Sequence, residues 1–252
     1  MASELTEIEV VADRTASSRC DDGFLRLRRL TLRNHYRDGS SSREYPCDVV
    51  TRPSADAVAI VLYRIETSGS PHPVVHVVLK EGPRAPIYLR RDKDLVRPDR
   101  AEYRSIVELV AGLLEPGDEG TGGLEKRASL ESHEEAGYRV PVDRIRAIGD
   151  GSFASPGISD EKVYYCVADV TGLEREEACG DGSVMEEGTT AVVLELRDAI
   201  RRCRRGEIPD MKTEVGLLRL ADAIGYLPQL GRFASSLGSE LTAAFDDLGA
   251  GE

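Results

Sequence analysis

This 252-residue sequence lacks a net positive charge, long apolar runs and cysteines in paired motifs. Asp and Glu number 45 against 33 Lys and Arg, and the net charge of -12 at pH 7 excludes the basic surface that nucleic-acid binding requires. Apolar runs such as residues 57–63 fall well short of the roughly 20 residues that cross a bilayer. We therefore expect neither nucleic acid nor a membrane as a partner.

The amino terminus and the cysteines indicate a reducing compartment. The first residues, MASELTEIEV, are acidic where a signal peptide has a basic start and an apolar stretch. The five cysteines are odd in number and form no CxxC pair, so the sequence predicts neither a disulfide framework nor a zinc site. We expect a cytoplasmic protein.

The residues that are present have the composition of a globular protein, with 40% hydrophobic and 31% charged side chains. Two β-branched runs, residues 56–64 (DAVAIVLYR) and 74–80 (VVHVVLK), flank a turn rich in Gly, Ser and Pro. This pattern predicts a hairpin of buried strands. Residues 105–114 (SIVELVAGLL) predict one further strand, which leads into a glycine-rich loop over residues 115–123.

A helix is predicted directly after that loop. Residues 124–136 (LEKRASLESHEEA) are dominated by good helix formers, and Gly137 is the residue type that most often ends a helix. Two or three short strands are also predicted within residues 24–36, near the N-terminus. The remaining predictions are strands at 144–148, 162–169 and 191–196, loops at 151–160 and 179–188, and helices at 197–205 and 214–224. This order of elements is typical of an α/β fold.

Three carboxylates share one face of the predicted helix. Glu131, Glu134 and Glu135 are spaced i, i+3 and i+4, which places their Cβ atoms about 5 to 6 Å apart. Like charges this close repel, so the cluster is stable either in solvent or where a hard divalent cation neutralises it. The spacing alone favours a solvated helix face, and the surrounding sequence changes that balance.

The sequence around this helix resembles the Nudix box. Residues 112–138, GLLEPGDEGTGGLEKRASLESHEEAGY, are similar to the pattern G-x5-E-x7-R-E-U-x-E-E-x-G-U, in which U is aliphatic or aromatic. The residues that match are Gly112, Glu131, Glu134, Glu135, Gly137 and Tyr138. Asp118 stands in place of the first Glu, Leu130 in place of the Arg and Ser132 in place of the aliphatic residue, and the loop is four residues longer.

Segments outside the box resemble the ADP-ribose pyrophosphatase branch of the Nudix family, in the order of that branch and over about residues 25–228. They are HYRDGSSSRE (35–44), DAVAIVLY (56–63), VVLKEGPRAP (77–86), IVELVAGLLEPGD (106–118), SPGISDE (155–161) and GEIPDMKTEVGLL (206–218). The resemblance implies a Nudix α/β/α sandwich with a mixed β-sheet over residues 55–228. It also implies a small N-terminal antiparallel β subdomain over 23–54, which serves dimerisation and base binding. Residues 1–22 are predicted to be a disordered segment and residues 229–252 a C-terminal tail.

By this resemblance the protein is a hydrolase that depends on Mg²⁺, with Mn²⁺ as the alternative ion. It is expected to cleave the diphosphate of ADP-ribose or a related nucleoside diphosphate sugar to a nucleoside monophosphate and a sugar phosphate, and to form a homodimer. The implied metal ligands are Glu131, Glu134, Glu135 and the backbone carbonyl of Ala111. Divalent ions suit this reaction because they offset charge on phosphate oxygens and lower the pKa of a bound water.

The resemblance also implies catalytic roles. Glu161, in the SPG loop, is the candidate base, and Glu134 is a further metal ligand or an orienting group. Glu186 and Glu187, in the acidic loop MEEGTT, are weaker alternatives for the base. Arg127 lies four residues before Glu131 on the same helix face. We hypothesise that Arg127 braces Glu131 in place of the missing box arginine, against the alternative of an ordinary surface ion pair.

Substrate contacts are expected at Arg84, Glu108, Ser155 and Gly157. Arg84 would reach a phosphate or the terminal ribose, and the other three lie on the strand before the box and in the SPG loop.

A second hypothesis is a Nudix fold that has lost hydrolysis and binds a nucleotide sugar as a sensor or regulator. Asp118, Leu130 and the longer loop favour this binding module. A complete carboxylate face together with Glu161 favours the enzyme, because a binder has no need of both.

Overall fold

The computed structural model describes residues 19–20, 23–67, 69, 72–180, 182 and 188–239. Nearly all of the N-terminal segment predicted over 1–22, and the end of the C-terminal tail, lie outside the described residues. Glu186 and Glu187, the alternative bases, lie outside them as well. Within the described residues no helix is long and apolar enough to span a membrane. All five cysteines are described and are free thiols.

The first two strands form a small antiparallel sheet of their own. β1 (Arg26–Leu32) pairs with β2 (Tyr45–Thr51), and Leu30 lies opposite Cys47. The prediction of two or three strands within residues 24–36 is therefore only partly right, because β1 is the one named strand there and its partner β2 begins at Tyr45.

A mixed sheet of eight strands forms the centre of the fold. Its strands are β3 (Ala57–Glu66), β4 (Val74–Gly82), β5 (Ile106–Glu108), β6 (Val110–Leu113), β7 (Ile145–Ala147), β8 (Ser152–Phe153), β9 (Lys162–Asp169) and β10 (Thr190–Glu195). The order is β10-β4-β3-β9-β7, and among the strand pairs described for this sheet only β3 and β9 run parallel. The predicted hairpin of β3 and β4 is confirmed, as is β9.

Helices cover both faces of this sheet. The helices are α1 (Ala85–Tyr88), α2 (Gly123–Ala136), α3 (Leu196–Arg205) and α4 (Met211–Ala223). α2 packs with Val58, Ile60 and Leu62 of β3, whereas α3 and α4 pack in the cluster that contains Ala59 and Val61. Because successive side chains of a strand point to opposite faces, β3 is apolar along its whole buried length. The chain is a mixed α/β protein.

Residues 105–114 form two strands, so the prediction of one strand there is wrong. β5 pairs with β4, which places Glu108 opposite Lys80, while β6 pairs with β3, which places Ala111 opposite Ala59. β3 and β4 pair with each other only from Leu62 onward and diverge before it. We call the opening between them, filled by β5 and β6, the fork.

Leu109 lies between the two strands of the fork and explains the switch of partner. Its side chain is fully buried, and its amide donates a hydrogen bond to Thr213 Oγ1 of α4 at 2.8 Å instead of to a neighbouring strand. An apolar run does not show which neighbour each residue pairs with, so the sequence could not reveal this exchange.

Smaller differences arise where a side chain ends or starts an element. α4 starts at Met211, three residues before the predicted 214, because Asp210 caps it by accepting a hydrogen bond from the Thr213 amide at 2.9 Å.

Two further strands, β11 (Tyr226–Leu227) and β12 (Arg232–Phe233), pair near the C-terminus. The Phe233 ring packs edge-on against Tyr226 at 5.3 Å, so part of the predicted tail contributes to the fold.

Candidate functional site

Glu131 projects from α2 onto the backbone of β6. A Cβ atom added to Gly112 would lie 1.8 Å from Glu131 Oε1, so only glycine leaves room for this carboxylate. Glu131 is 9% exposed. Burial, followed by the negative charges of Glu135 and Glu134, raises the pKa of Glu131 to about 7. Helix α2 thus holds a buried carboxylate against the sheet, where it is repelled by the two neighbouring carboxylates.

Glu135 lies one turn further along α2 and already has partners. Lys80 of β4 donates a short hydrogen bond to Oε1, and the Ala111 amide donates to Oε2 at 3.0 Å. Lys80 and Glu135 are 5% and 7% exposed, so this is a buried ion pair. Sequence reasoning missed Lys80, whose single charge in the apolar run VVHVVLK was the available signal.

Glu108 is the centre of a second ion-pair cluster at the fork. Its Oε1 accepts from Arg84 Nε at 2.6 Å, and its Oε2 accepts from Lys212 Nζ at 2.9 Å. Burial would raise the pKa of this carboxyl, but the positive charges of Lys212, Arg84 and Lys80 together hold it below the ordinary value. The structure therefore brings the predicted Arg84 and Glu108 together.

Lys212 is held in this cluster by the start of α4. It also donates to Asp210 Oδ2 at 3.0 Å, and Thr213 Oγ1 donates to the same oxygen at 2.6 Å. Sequence reasoning noted the segment DMKT as a resemblance only. The contacts show that it fastens α4 to Leu109 and aims a lysine at Glu108.

Arg127 holds the glycine-rich loop onto α2. Its Nε donates to Asp118 Oδ2 and its Nη2 to Glu115 Oε2, both at 2.8 Å. Its Nη1 lies 3.9 Å from Glu131 Oε1, which is within ion-pair distance and outside hydrogen-bond distance. Leu130, at the position where the sequence pattern has an arginine, is 43% exposed. Arg127 and Lys80 are thus the cations that act on Glu131, and the hydrogen bonds of Arg127 go to the loop.

Glu161 lies just before β9 and is tied to the N-terminal sheet. Arg52 Nη2 donates to Glu161 Oε1 at 2.9 Å and also to the Ala55 carbonyl at 3.2 Å. The Arg52 guanidinium stacks 5.2 Å from the centre of the Phe24 ring. These contacts hold the candidate base against the chain that enters β3.

The loop that carries Glu161 and the loop that precedes α2 meet at one end of the sheet. Ala57 of β3 lies opposite Leu113 on one side and Val163 on the other. Because neighbouring strands lie about 4.8 Å apart, these two partners are about 10 Å from each other. Asp56 accepts hydrogen bonds from the Leu114 amide through its carbonyl and from the Lys162 amide through Oδ1, at 3.0 and 3.1 Å. Sequence reasoning did not single out Asp56.

Ser155 and Gly157 are exposed in the loop after β8. The Ser155 carbonyl accepts from the amides of Ile158 and Ser159 at 2.9 Å, and the Val50 amide of β2 donates to the Ile158 carbonyl at 2.8 Å. The loop is therefore a compact turn tied to the N-terminal sheet.

The carboxylate face can be compared with what a divalent cation needs. In the part of the chain described here, no group of three or more His, Cys, Asp or Glu side chains is arranged to hold a metal ion. Glu131, Glu134 and Glu135 nevertheless supply the hard oxygen donors that Mg²⁺ takes, and their mutual repulsion is what a cation relieves. The Lys80 ammonium occupies one oxygen of Glu135. The residues fit such an ion in donor type and in charge.

No family model matches the chain, and no curated protein matches it. The chemistry therefore rests on the residues of the fork, of α2 and of the loop before β9.

Proposed function

We propose that the protein is a Mg²⁺-dependent Nudix hydrolase with an α/β/α sandwich fold. It cleaves the diphosphate of ADP-ribose or a related nucleoside diphosphate sugar to a nucleoside monophosphate and a sugar phosphate. The observation that carries the proposal is Glu131, a buried carboxylate with a pKa of about 7 beside two further carboxylates, lying on the backbone of Gly112. A bound cation would stabilise this arrangement, which agrees with the resemblance of residues 112–138 to the Nudix box.

Glu131, Glu134, Glu135 and the Ala111 carbonyl would hold Mg²⁺, or Mn²⁺ in its place. When bound, the ion offsets charge on the phosphate oxygens and lowers the pKa of a water molecule. Gly112 keeps Glu131 close to the sheet, and the Ala111 amide fixes the orientation of Glu135.

Arg84 and Lys212 would bind the diphosphate. A chain with a net charge of -12 repels an anionic substrate unless cations are placed locally. Both cations are oriented by Glu108, and Arg84 keeps guanidinium N–H groups that can donate to phosphate oxygens. Ser155 and Gly157 would contact the substrate from the opposite loop.

Glu161 would accept the proton of the attacking water. Arg52 orients its carboxylate, and the shared contacts of Asp56 place its loop at the same end of the sheet as the loop before α2. A loop carboxylate can move into reach of the substrate when the site closes.

The test incubates purified protein and Mg²⁺ with ADP-ribose, UDP-glucose or GDP-mannose and resolves the nucleotides by chromatography. Glu161→Gln is the variant of choice, and we expect it to lower turnover by about 10² to 10⁴-fold. Glu135→Gln is a poor choice, because it would leave the buried Lys80 ammonium unpaired at a cost of about 3 to 5 kcal/mol. Folded wild-type protein that releases no nucleoside monophosphate from any of the three substrates contradicts the proposal.

The second candidate is a binding module that senses a nucleotide sugar. The Lys80–Glu135 ion pair favours it, since a lysine already neutralises one carboxylate without a metal. In that case ADP-ribose binding measured by calorimetry is unchanged by a chelator, and no product forms.

A further inference from the structure

A cavity of about 470 Å³ lies in the segment that joins β4 to β5. Its lining comes entirely from residues 87–103, none of which belongs to the site proposed above. The volume falls within the range of small-molecule binding sites. We call it the 87–103 pocket.

Ion pairs hold the segment around this pocket in shape. Arg84 precedes the pocket and Glu108 follows it, and their 2.6 Å contact closes the segment at its base. Inside it, Arg90 donates to both carboxylate oxygens of Asp99, at 3.0 and 3.2 Å. A bidentate ion pair of this kind fixes the relative orientation of the two side chains as well as their distance. The pocket is therefore formed before a ligand arrives.

The segment around the pocket carries a net positive charge, although the chain as a whole is acidic. Residues 84–104 contain seven Arg and Lys against four Asp and Glu, a net charge of +3 in a chain of -12. Lys93 and Arg100 line the pocket, and neither has an ion-pair partner among the residues that the structure describes. Three carboxylates, Asp94, Asp99 and Glu102, line the pocket as well. Arg90 pairs with Asp99 and Arg104 lies 3.7 Å from Glu102, so Lys93 and Arg100 are the cations left to meet an anion.

Tyr88 is the second observation that points to a ligand. The residue lines the pocket and is 3% exposed, yet its hydroxyl has no hydrogen-bond partner in the described chain. The Arg91 guanidinium stacks on the ring at 4.1 Å and leaves the hydroxyl unpaired. A buried hydroxyl without a partner is unfavourable, and a ligand oxygen would supply that partner.

We propose that the 87–103 pocket binds a small organic phosphate. Lys93 and Arg100 would contact the phosphate group, and the Tyr88 hydroxyl would donate to a further oxygen of the ligand. A phosphate offers several acceptor oxygens and up to two negative charges, which matches flexible lysine and forked arginine donors. The pocket shares no residue with the carboxylate face, so binding requires neither Mg²⁺ nor hydrolysis.

Calorimetry in the presence of EDTA tests this proposal with ribose 5-phosphate, AMP and inorganic phosphate as separate probes. We expect at least one organic phosphate to bind the wild-type protein, and the double variant Lys93→Ala/Arg100→Ala to bind it at least tenfold more weakly. Arg146→Ala/Arg204→Ala removes two exposed cations elsewhere and serves as the matched control. Lys93 and Arg100 lie outside the proposed hydrolytic site, so weaker binding by the double variant also separates the 87–103 pocket from that site.

Tyr88→Phe should change thermal stability and ligand affinity in opposite directions. Without ligand its melting temperature should equal or exceed that of the wild type, because an unpaired buried hydroxyl is removed. Its affinity for the organic phosphate should fall several-fold. The proposal is overturned if no organic phosphate binds, if only inorganic phosphate binds, or if the double variant binds as tightly as the wild type.

Discussion

Glu131 couples the stability of the protein to pH. Its pKa of about 7 in the folded state lies above the ordinary value of 4.5, so the folded protein holds the proton more tightly between these values. Stability therefore falls as pH rises from about 4.5 to about 7. Glu131→Gln removes this loss, and we expect the variant to be about 1 to 3 kcal/mol more stable than the wild type at pH 8 and nearly equal at pH 4.5.

Urea denaturation at both pH values measures this difference. Glu207→Gln, at an exposed glutamate of the same chain, is the control and should change stability at neither pH. A Glu131→Gln variant that is less stable than the wild type at pH 8 would show that the carboxylate is stabilising where it lies. Added Mg²⁺ should narrow the gap between wild type and variant.

Arg127 is expected to matter through the loop that it holds. Arg127→Ala removes two hydrogen bonds of 2.8 Å to Asp118 and Glu115 and one of the cations near Glu131. We expect turnover to fall about tenfold or more, because small displacements of a catalytic group are costly. Lys126→Ala, at the exposed neighbouring position, is the control. Wild-type turnover in Arg127→Ala would end this assignment.

Side chains that a regular helix places together could be predicted from the sequence, and those joined by tertiary contacts could not. The face of Glu131, Glu134 and Glu135 follows from helical spacing alone. The Lys80 partner of Glu135 is 55 residues away along the chain, and no local pattern joins them. In the same way Arg84 and Glu108 were each predicted as site residues, and only the structure shows that they bind each other.

At the scale of elements, Gly112 is the residue on which α2 and β6 meet. Gly112→Ala would place a methyl group 1.8 Å from Glu131 Oε1, so the carboxylate or the helix must move. We expect a loss of about 1 to 3 kcal/mol in stability together with loss of activity. Gly238→Ala is the control, since nothing lies within 4 Å of a Cβ at that position. Thermal denaturation of both variants checks this, and equal melting temperatures would contradict it.

The predictability of each element depended on where its hydrogen bonds go. β9 was predicted with its observed bounds, and α2 began one residue earlier than predicted, since uniform runs of strand or helix formers end at clear stop signals. The fork was missed because its two strands form one apolar run and are separated only by the bond from Leu109 to Thr213. α1 was missed because a single turn of four residues has no periodicity to detect.

At the scale of the whole molecule, Arg52 links the N-terminal sheet to the candidate base. Arg52→Ala removes the 2.9 Å contact with Glu161, and we expect a lower kcat with little change in KM, because orientation of the base is lost while substrate contacts persist. Arg28→Ala, at an exposed position of β1, is the control. Steady-state kinetics decide, and a change confined to KM would assign Arg52 to substrate binding instead.

The oligomeric state is a prediction at the same scale. Light scattering after size exclusion should give twice the monomer mass of 27.5 kDa if the N-terminal strands pair across a homodimer. A monomer at micromolar concentration would contradict that expectation and confine the site to one chain.

Strand register at the fork has a consequence for both ion-pair clusters. Lys80 and Glu108 lie directly opposite each other in β4 and β5, so their side chains share one face of the sheet. A slip of β5 by one residue would turn Glu108 to the other face, away from Lys80, Arg84 and Lys212 at once. Leu109, anchored on Thr213, prevents that slip. An insertion or deletion of a single residue between 105 and 109 should therefore abolish the site while leaving the composition of the chain almost unchanged.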